Sequence, residues 1–396
     1  MFSDKNRIYL NDMGILCALG SGREEVEGNM LRGYQGGMVG TSDYSQDSLV
    51  LGVVQEKLPQ IPSFLSQYSC RSNQMLLHVM EQIRPILEKC SQGISLDRVG
   101  VVLGTCTGGN SEAQDFLDYY SQHQAMPSHF NPDITFMGDC ADFVAEYLNI
   151  RGPRYVMSTA CSSSGNAFAS AARLISCDLC DLVVVGGADA LCSLTVRGFS
   201  ALGVISKSIC NPSSLNRNGV NIGEGAALFV MSKKPAEVRL AGVGVSSEAF
   251  HISKPRSDGS GAEKAISLAL HNAGLTAENI HYINLHGTAT QLNDVMESLA
   301  VKRTFGCEVP CSSTKSMTGH TLGAAAAIEA AICWMLLECQ SDNVRMPTHC
   351  WDGHSDPNLA ALNLVKPKKK SVELKHCMSN SFAFGGNNVS LILGRG

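Results

Sequence analysis

The sequence predicts an α/β fold built from two similar halves, and three observations carry that expectation. Continuous apolar runs at 99–103, 182–185 and 226–230 have the composition of strands buried on both faces. Helical stretches alternate with them, at 74–89, 162–175, 262–273 and 321–338, and such alternation belongs to α/β architecture. One pattern also occurs twice. A strand ending at Met157 leads through Ser158, Thr159, Ala160 and Cys161 into a helix of small residues. Later a short strand at 309–312 leads through Lys315, Ser316, Met317, Thr318, Gly319 and His320 into a second such helix. Helices rich in Ala, Gly and Ser let backbones approach closely. The halves, 1–238 and 239–396, are therefore expected to pack these two helices together, joined near 233–240.

Length and charge bound the function. The 396 residues suit two domains or one large one. The net charge of −5, with no long block of one sign, argues against nucleic acid as the main partner. The run Lys368, Lys369 and Lys370 reads as a solvated turn rather than a docking spot. The N-terminus opens charged and lacks the apolar core of a signal peptide. The apolar helix at 322–337 is too short to span a bilayer and contains Glu329. A soluble, cytoplasmic protein is expected, and its sixteen scattered cysteines would then be reduced, small hydrophobes. Cys177 and Cys180 have CxxC spacing, but no second pair or nearby histidine completes a ligand set. Cys307 and Cys311 make a similarly weak metal or redox case.

Cys161 stands out because it precedes a helix. A helix N-terminus offers free N–H groups and partial positive charge, which favour the nucleophilic thiolate. From this segment alone, a packing cysteine remains an equal alternative. His286 emerges after the apolar stretch 280–284, and His320 lies at the mouth of the second small-residue helix. A lone histidine is more often structural than catalytic. Two histidines, each beside glycine at an element boundary, are harder to dismiss. The paired glycines Gly385 and Gly386 make a tight turn between two strands and let backbone N–H groups approach a ligand.

The stretches TACSSS, HGTAT, KSMTGHTLGAAAAIEA and NSFAFGGNN, in this order, resemble the β-ketoacyl-acyl-carrier-protein synthases. The resemblance runs from GILCALG near the start to VSLILG at the end, and is nearest to stand-alone bacterial type II synthases of the Cys-His-His class. It implies the thiolase fold, with the two halves layered αβαβα. It also implies a decarboxylative Claisen condensation that lengthens fatty-acid, polyketide or aryl-polyene-type chains by two carbons. Cys161 would carry the acyl chain as a thioester. A malonyl group on acyl carrier protein would lose carbon dioxide and attack that thioester. No metal or organic cofactor is implied, because the thioester itself acidifies the reacting carbon.

The same resemblance assigns further roles. The N–H groups of Cys161 and Phe384 would form the oxyanion hole, and Phe384 would gate the acyl chain, with plain core packing as its alternative. His286 and His320 would stabilise the enolate. Lys315 and Glu297 would support the histidines through an ion pair, since a buried lysine needs a partner. Thr288 and Thr290 would hydrogen-bond the phosphopantetheine arm. Asp294, three residues before Glu297, is read as a helix cap.

Departures from the family pattern matter. Pro212, Ser213 and Ser214 stand where relatives have Pro-Phe-Asp, so the network near Arg217 and the NIGEG stretch is expected to differ. Thr107 stands where long-chain synthases carry a bulky aliphatic residue in the acyl tunnel, which hints at an unsaturated or aromatic chain. Rival readings fare worse. A thiolase would carry a second cysteine near the FAFGGNN turn, an initiating Cys-His-Asn synthase would replace His320 by asparagine, and a non-catalytic chain-length-factor subunit would lack Cys161. The expected partners are acyl carrier protein and a second subunit, as a homodimer or with a chain-length-factor-like chain. Arg71 and Lys207 are candidate basic contacts for the acidic carrier.

Overall fold

The computed structural model describes residues 7–128, 130–339, 345–367 and 373–396, so the Lys368–Lys370 run lies outside the described residues. In the first half the main strands of the large sheet are β1 (Ile8–Cys17), β2 (Val99–Gly104), β3 (Arg154–Met157), β4 (Leu182–Asp189) and β5 (Gly225–Ser232), with a separate hairpin at Met38–Thr41 and Leu49–Gly52. They lie in the order β3-β2-β4-β5-β1. The second half holds β6 (Val238–Ser247), β7 (Tyr282–Asn284), β8 (Pro310–Ser312), β9 (Asn363–Leu364), β10 (His376–Phe382) and β11 (Asn387–Arg395). These lie in the order β9-β8-β7-β10-β11-β6. Leaving aside the two-residue β9, each half runs third-second-fourth-fifth-first. The duplication sensed in the sequence is thus a repeated topology. Among the described strands, the two sets meet where Ile8 pairs with Leu240 and Tyr9 with Arg239.

Burial explains the strand sequences. Every residue of β2, β4 and β5 is buried, because helices cover both faces and no polar side is needed. On the outer face of the first sheet, α1 (Arg71–Ser91) packs on β5, β1 and β4, and α3 (Asp139–Tyr147) packs on β2 and β3. On the outer face of the second, α6 (Ser260–Ala273) packs on β6 and β11, with α7 (Gln291–Phe305) beside it. Between the sheets lie α4 (Ser163–Ser176) and α8 (Ala325–Glu338). In α8 only Glu338 escapes burial, as expected of a helix enclosed on all sides. The result is five layers, and the largest apolar cluster sits around α4 and α8.

Two helix starts differ from expectation. The first central helix begins at Ser163, so Cys161 sits in the turn before it. The second begins at Ala325, after a 3-10 turn at Leu322–Ala324 whose first residue has a left-handed φ of 50°. Both shifts leave the reactive side chains on tight turns rather than on regular helix. No described helix is long and apolar enough to cross a membrane.

Candidate active site

Cys161 is aimed by a sharp reversal. Ala160 before it adopts φ 53°, a left-handed conformation that costs an L-residue about 1–2 kcal/mol and is tolerated where surroundings fix it. Ser163 closes the turn by donating its Oγ to Ala160 O at 2.5 Å, and Thr159 N donates to Ser163 Oγ at 2.9 Å. The sulfur is buried and lies 2.9 Å from His320 Nε2. Thiolate was expected to be favoured here, and the balance is otherwise. Burial pushes the thiol up to about 11, while the Lys315 charge and the N–H groups of Phe384 and Cys161 pull the other way. Burial outweighs the Lys315 charge and the two N–H groups, so the resting group is a thiol.

His286 leaves β7 on a loop tied down by Glu297. The Glu297 carboxylate accepts the N–H of His286 at 2.8 Å and of Gly287 at 2.7 Å. Burial pushes this carboxyl up to about 7 against the pull of those two N–H groups. His320 is clamped by its own backbone, with N–H to Asn221 O at 2.7 Å and C=O from Gly223 N at 2.9 Å. The NIGEG stretch therefore serves as a rail for His320. The two imidazole rings cross edge to face at 5.3 Å. Burial, then the Lys315 charge, holds both well below the usual histidine range, so both rings are neutral at pH 7.

The buried lysine departs from the expected pairing. Lys315 Nζ pairs with Glu329 of α8, not with Glu297. Glu297 is occupied by backbone donors, whereas Glu329 projects from an apolar helix that offers no other partner for its charge. Burial raises the Glu329 carboxyl to about 6, against the Lys315 charge. Lys315 Nζ also lies 3.4 Å from His286 Nδ1. An ammonium only donates, so Nδ1 accepts and the ring proton belongs on Nε2.

Cys161, His286 and His320 share one cavity of about 290 Å³ with Thr288, Thr290 and Phe384. The sulfur and one nitrogen of each ring lie within 4.8 Å of one another. That spacing suits a metal, but the Lys315 charge beside His286 opposes a cation. Thr288 and Thr290 hydroxyls are 2.9 Å apart at the cavity wall. Phe384 is half-buried and stacks on Phe199 at 5.4 Å.

Other expectations meet different surroundings. Thr107 is not among the described residues lining this cavity, and its hydroxyl donates to the buried Asp189 at 2.7 Å. Arg71 is no free surface cation, because its guanidinium holds the buried Glu224 carboxylate at 2.5 and 2.7 Å. Lys207 is exposed and pairs with Asp47 at 3.0 Å. Asp294 does not cap its own helix, where Thr290 takes that place. It accepts N–H groups from Ser213 at 2.8 Å and Ala289 at 3.2 Å, tying two loops. Close to the Pro-Ser-Ser departure, Arg217 pairs with Asp356 at 2.5 Å. Glu329 and Asp189 were missed as site residues. The available signal was a carboxylate set within an apolar run, Glu329, or ending one, Asp189.

Comparison with known proteins shows the family. Residues 73–236 match the family model of the β-ketoacyl synthase N-terminal domain, and residues 238–342 that of the C-terminal domain. Nodulation protein E of Rhizobium meliloti is 32% identical over 97% of this chain and 98% of its own. The 3-oxoacyl-[acyl-carrier-protein] synthase 2 of the same organism is 35% identical over 75% of this chain and 74% of its own. A chain from the structure of a Xenorhabdus doucetiae ketosynthase, ApeO, in complex with its chain length factor, ApeC, superposes with a TM-score of 0.93. It is 40% identical and covers both chains completely. These neighbours have the thiolase fold, and the chain belongs to the β-ketoacyl synthase family of chain-extending condensing enzymes.

Proposed function

We propose that this chain joins an acyl thioester held on Cys161 to malonyl-acyl carrier protein, releasing carbon dioxide. The convergence of one sulfur and two neutral imidazoles in a single cavity carries this reading. In the first stage the Cys161 S–H passes its proton to His320 Nε2, and the sulfur attacks the carbonyl carbon of the acyl-carrier thioester. The N–H groups of Cys161 and Phe384 are suited to hold the resulting oxyanion. Collapse expels the pantetheine sulfur, which takes a proton back. In the second stage the malonyl thioester oxygen sits against His286 and His320, carbon dioxide leaves, and the enolate carbon attacks the Cys161 thioester. The Cys161 sulfur departs and the β-ketoacyl chain stays on the carrier.

Each histidine suits its part. Lys315 fixes His286 with its proton on Nε2, a ready donor to the enolate oxygen. His320 Nδ1 has no hydrogen-bond partner among the described residues, so neither tautomer is locked and the ring can accept first and donate later. No cofactor is needed beyond the carrier's phosphopantetheine, for which Thr288 and Thr290 line the way in.

A partner subunit belongs to the same reading. β3 pairs only with β2 and leaves its other edge open among the described strands. The 40%-identical structure contains a chain length factor, and a subunit of that kind is the proposed neighbour. All sixteen cysteines are free, which supports a reducing, cytoplasmic setting. The test is intact-mass spectrometry after incubation with acyl-carrier. One acyl increment is expected on the wild type and none on Cys161→Ala. An increment that survives the substitution contradicts the assignment of the nucleophile.

A further inference from the structure

We propose that Asp189 is a positioning residue for this condensation, its carboxylate fastening the loop after β2 to the segment that carries His320. The inference rests on the functional reading above. Asp189 ends β4, whose other residues are all apolar or glycine, and is fully buried. A carboxylate in such a place is costly unless its lone pairs are filled. They are filled from both halves of the chain. Oδ1 accepts Thr105 Oγ1 at 2.5 Å, Thr107 Oγ1 at 2.7 Å, Thr107 N at 2.8 Å and Cys106 N at 2.9 Å. Oδ2 accepts Gly323 N at 2.6 Å and Cys106 N at 3.1 Å.

The donors flank the reacting pair. Gly323 is three residues beyond His320. Cys106 Sγ lies 3.7 Å from Ser163 Oγ, the hydroxyl that closes the turn aiming Cys161. One carboxylate therefore grips a segment on each side of the 2.9 Å contact between Cys161 Sγ and His320 Nε2. The fit is close. A Cβ on Gly323 would stand 2.8 Å from Asp189 Oδ2 and 2.8 Å from Cys106 N. Leu322 beside it has a left-handed φ of 50°, a conformation that persists only where the surroundings fix it. All the facing groups are donors, so an amide in place of the carboxylate would set its own N–H against one of them. This also accounts for Thr107, whose hydroxyl is used by Asp189 rather than by the cavity.

Steady-state condensation with malonyl-carrier tests the proposal, using Asp189→Asn and Thr107→Val beside the wild type. For Asp189→Asn, kcat is expected to fall at least tenfold while KM for malonyl-carrier stays within twofold and one reactive Cys161 thiol is still titrated. A general loss of structure would instead move KM and thiol count together. Thr107→Val keeps the carboxylate and removes one donor. It is expected to lower kcat two- to fivefold at unchanged KM, and it decides the matter should the first variant not fold. An active wild type with kcat unchanged in the folded variants overturns the role of Asp189. A wild type that makes no condensation product fails the functional reading instead.

Discussion

At Cys161 two effects compete, and their balance has a measurable consequence. Burial favours the neutral thiol, while Lys315 and two N–H groups favour the anion, leaving the group near 11. The thiolate fraction then rises about tenfold for each pH unit below that value. Inactivation by iodoacetamide is expected to accelerate by about that factor per unit between about pH 7 and pH 10. A rate already level at neutral pH would show the sulfur fully ionised and the desolvation argument wrong. The three reactive side chains were legible because each stands beside small residues at an element boundary. Their support was legible only in part, since Lys315 and Glu297 both hold the His286 loop but do not pair with each other. Glu297 and Glu329 are both buried carboxylates on helices, and only the fold shows that one meets backbone donors and the other Lys315. Arg71 and Glu224 are 153 residues apart, a separation at which sequence carries no pairing signal.

Among the elements, the central helices were read correctly because small residues leave a physical trace. α4 and α8 approach closely enough that Ala327 N donates to Ser164 Oγ at 3.0 Å. A Cβ on Gly165 of α4 would lie 2.9 Å from Val389 Cγ1 and 3.3 Å from Ala326 Cβ. Gly165→Ala is therefore expected to overpack the centre and cost about 1–3 kcal/mol, seen as a lower urea midpoint. Gly28, exposed in the helix Gly22–Leu31, has no atom within 4 Å of the same position. Gly28→Ala is expected to stabilise by about 0.5–1 kcal/mol, because only chain entropy changes there. Equal effects at both sites would mean that helix propensity, not the crossing, governs α4. What the sequence hid at this scale was where each helix begins, since the left-handed turns at Ala160 and Leu322 sit at non-glycine residues, and the second is held by Asp189 from the other half of the chain.

For the whole molecule, the uncovered apolar surface is informative. Helix α2 (Asn110–His123) exposes Leu117 and Tyr120, and the following segment exposes Phe136 at 65%. Helix α5 (Ser193–Ala201), packed beside α2, exposes Leu194 at 64%. Single exposed apolar residues are ordinary, but a group of them together with an open strand edge marks a surface meant to be covered. If a second subunit of the same fold covers it, charge there is expected to block association without unfolding the chain, since these side chains bury little within it. The double variant Leu117→Glu and Phe136→Ser, co-expressed with a chain-length-factor-like subunit, is expected to run as a monomer by light scattering while the wild type runs as a dimer. Its melting temperature in isolation is expected to match that of the isolated wild type. A variant that still associates like the wild type would place the partner on another face, and a wild type that stays monomeric beside that subunit would remove the partner from the account.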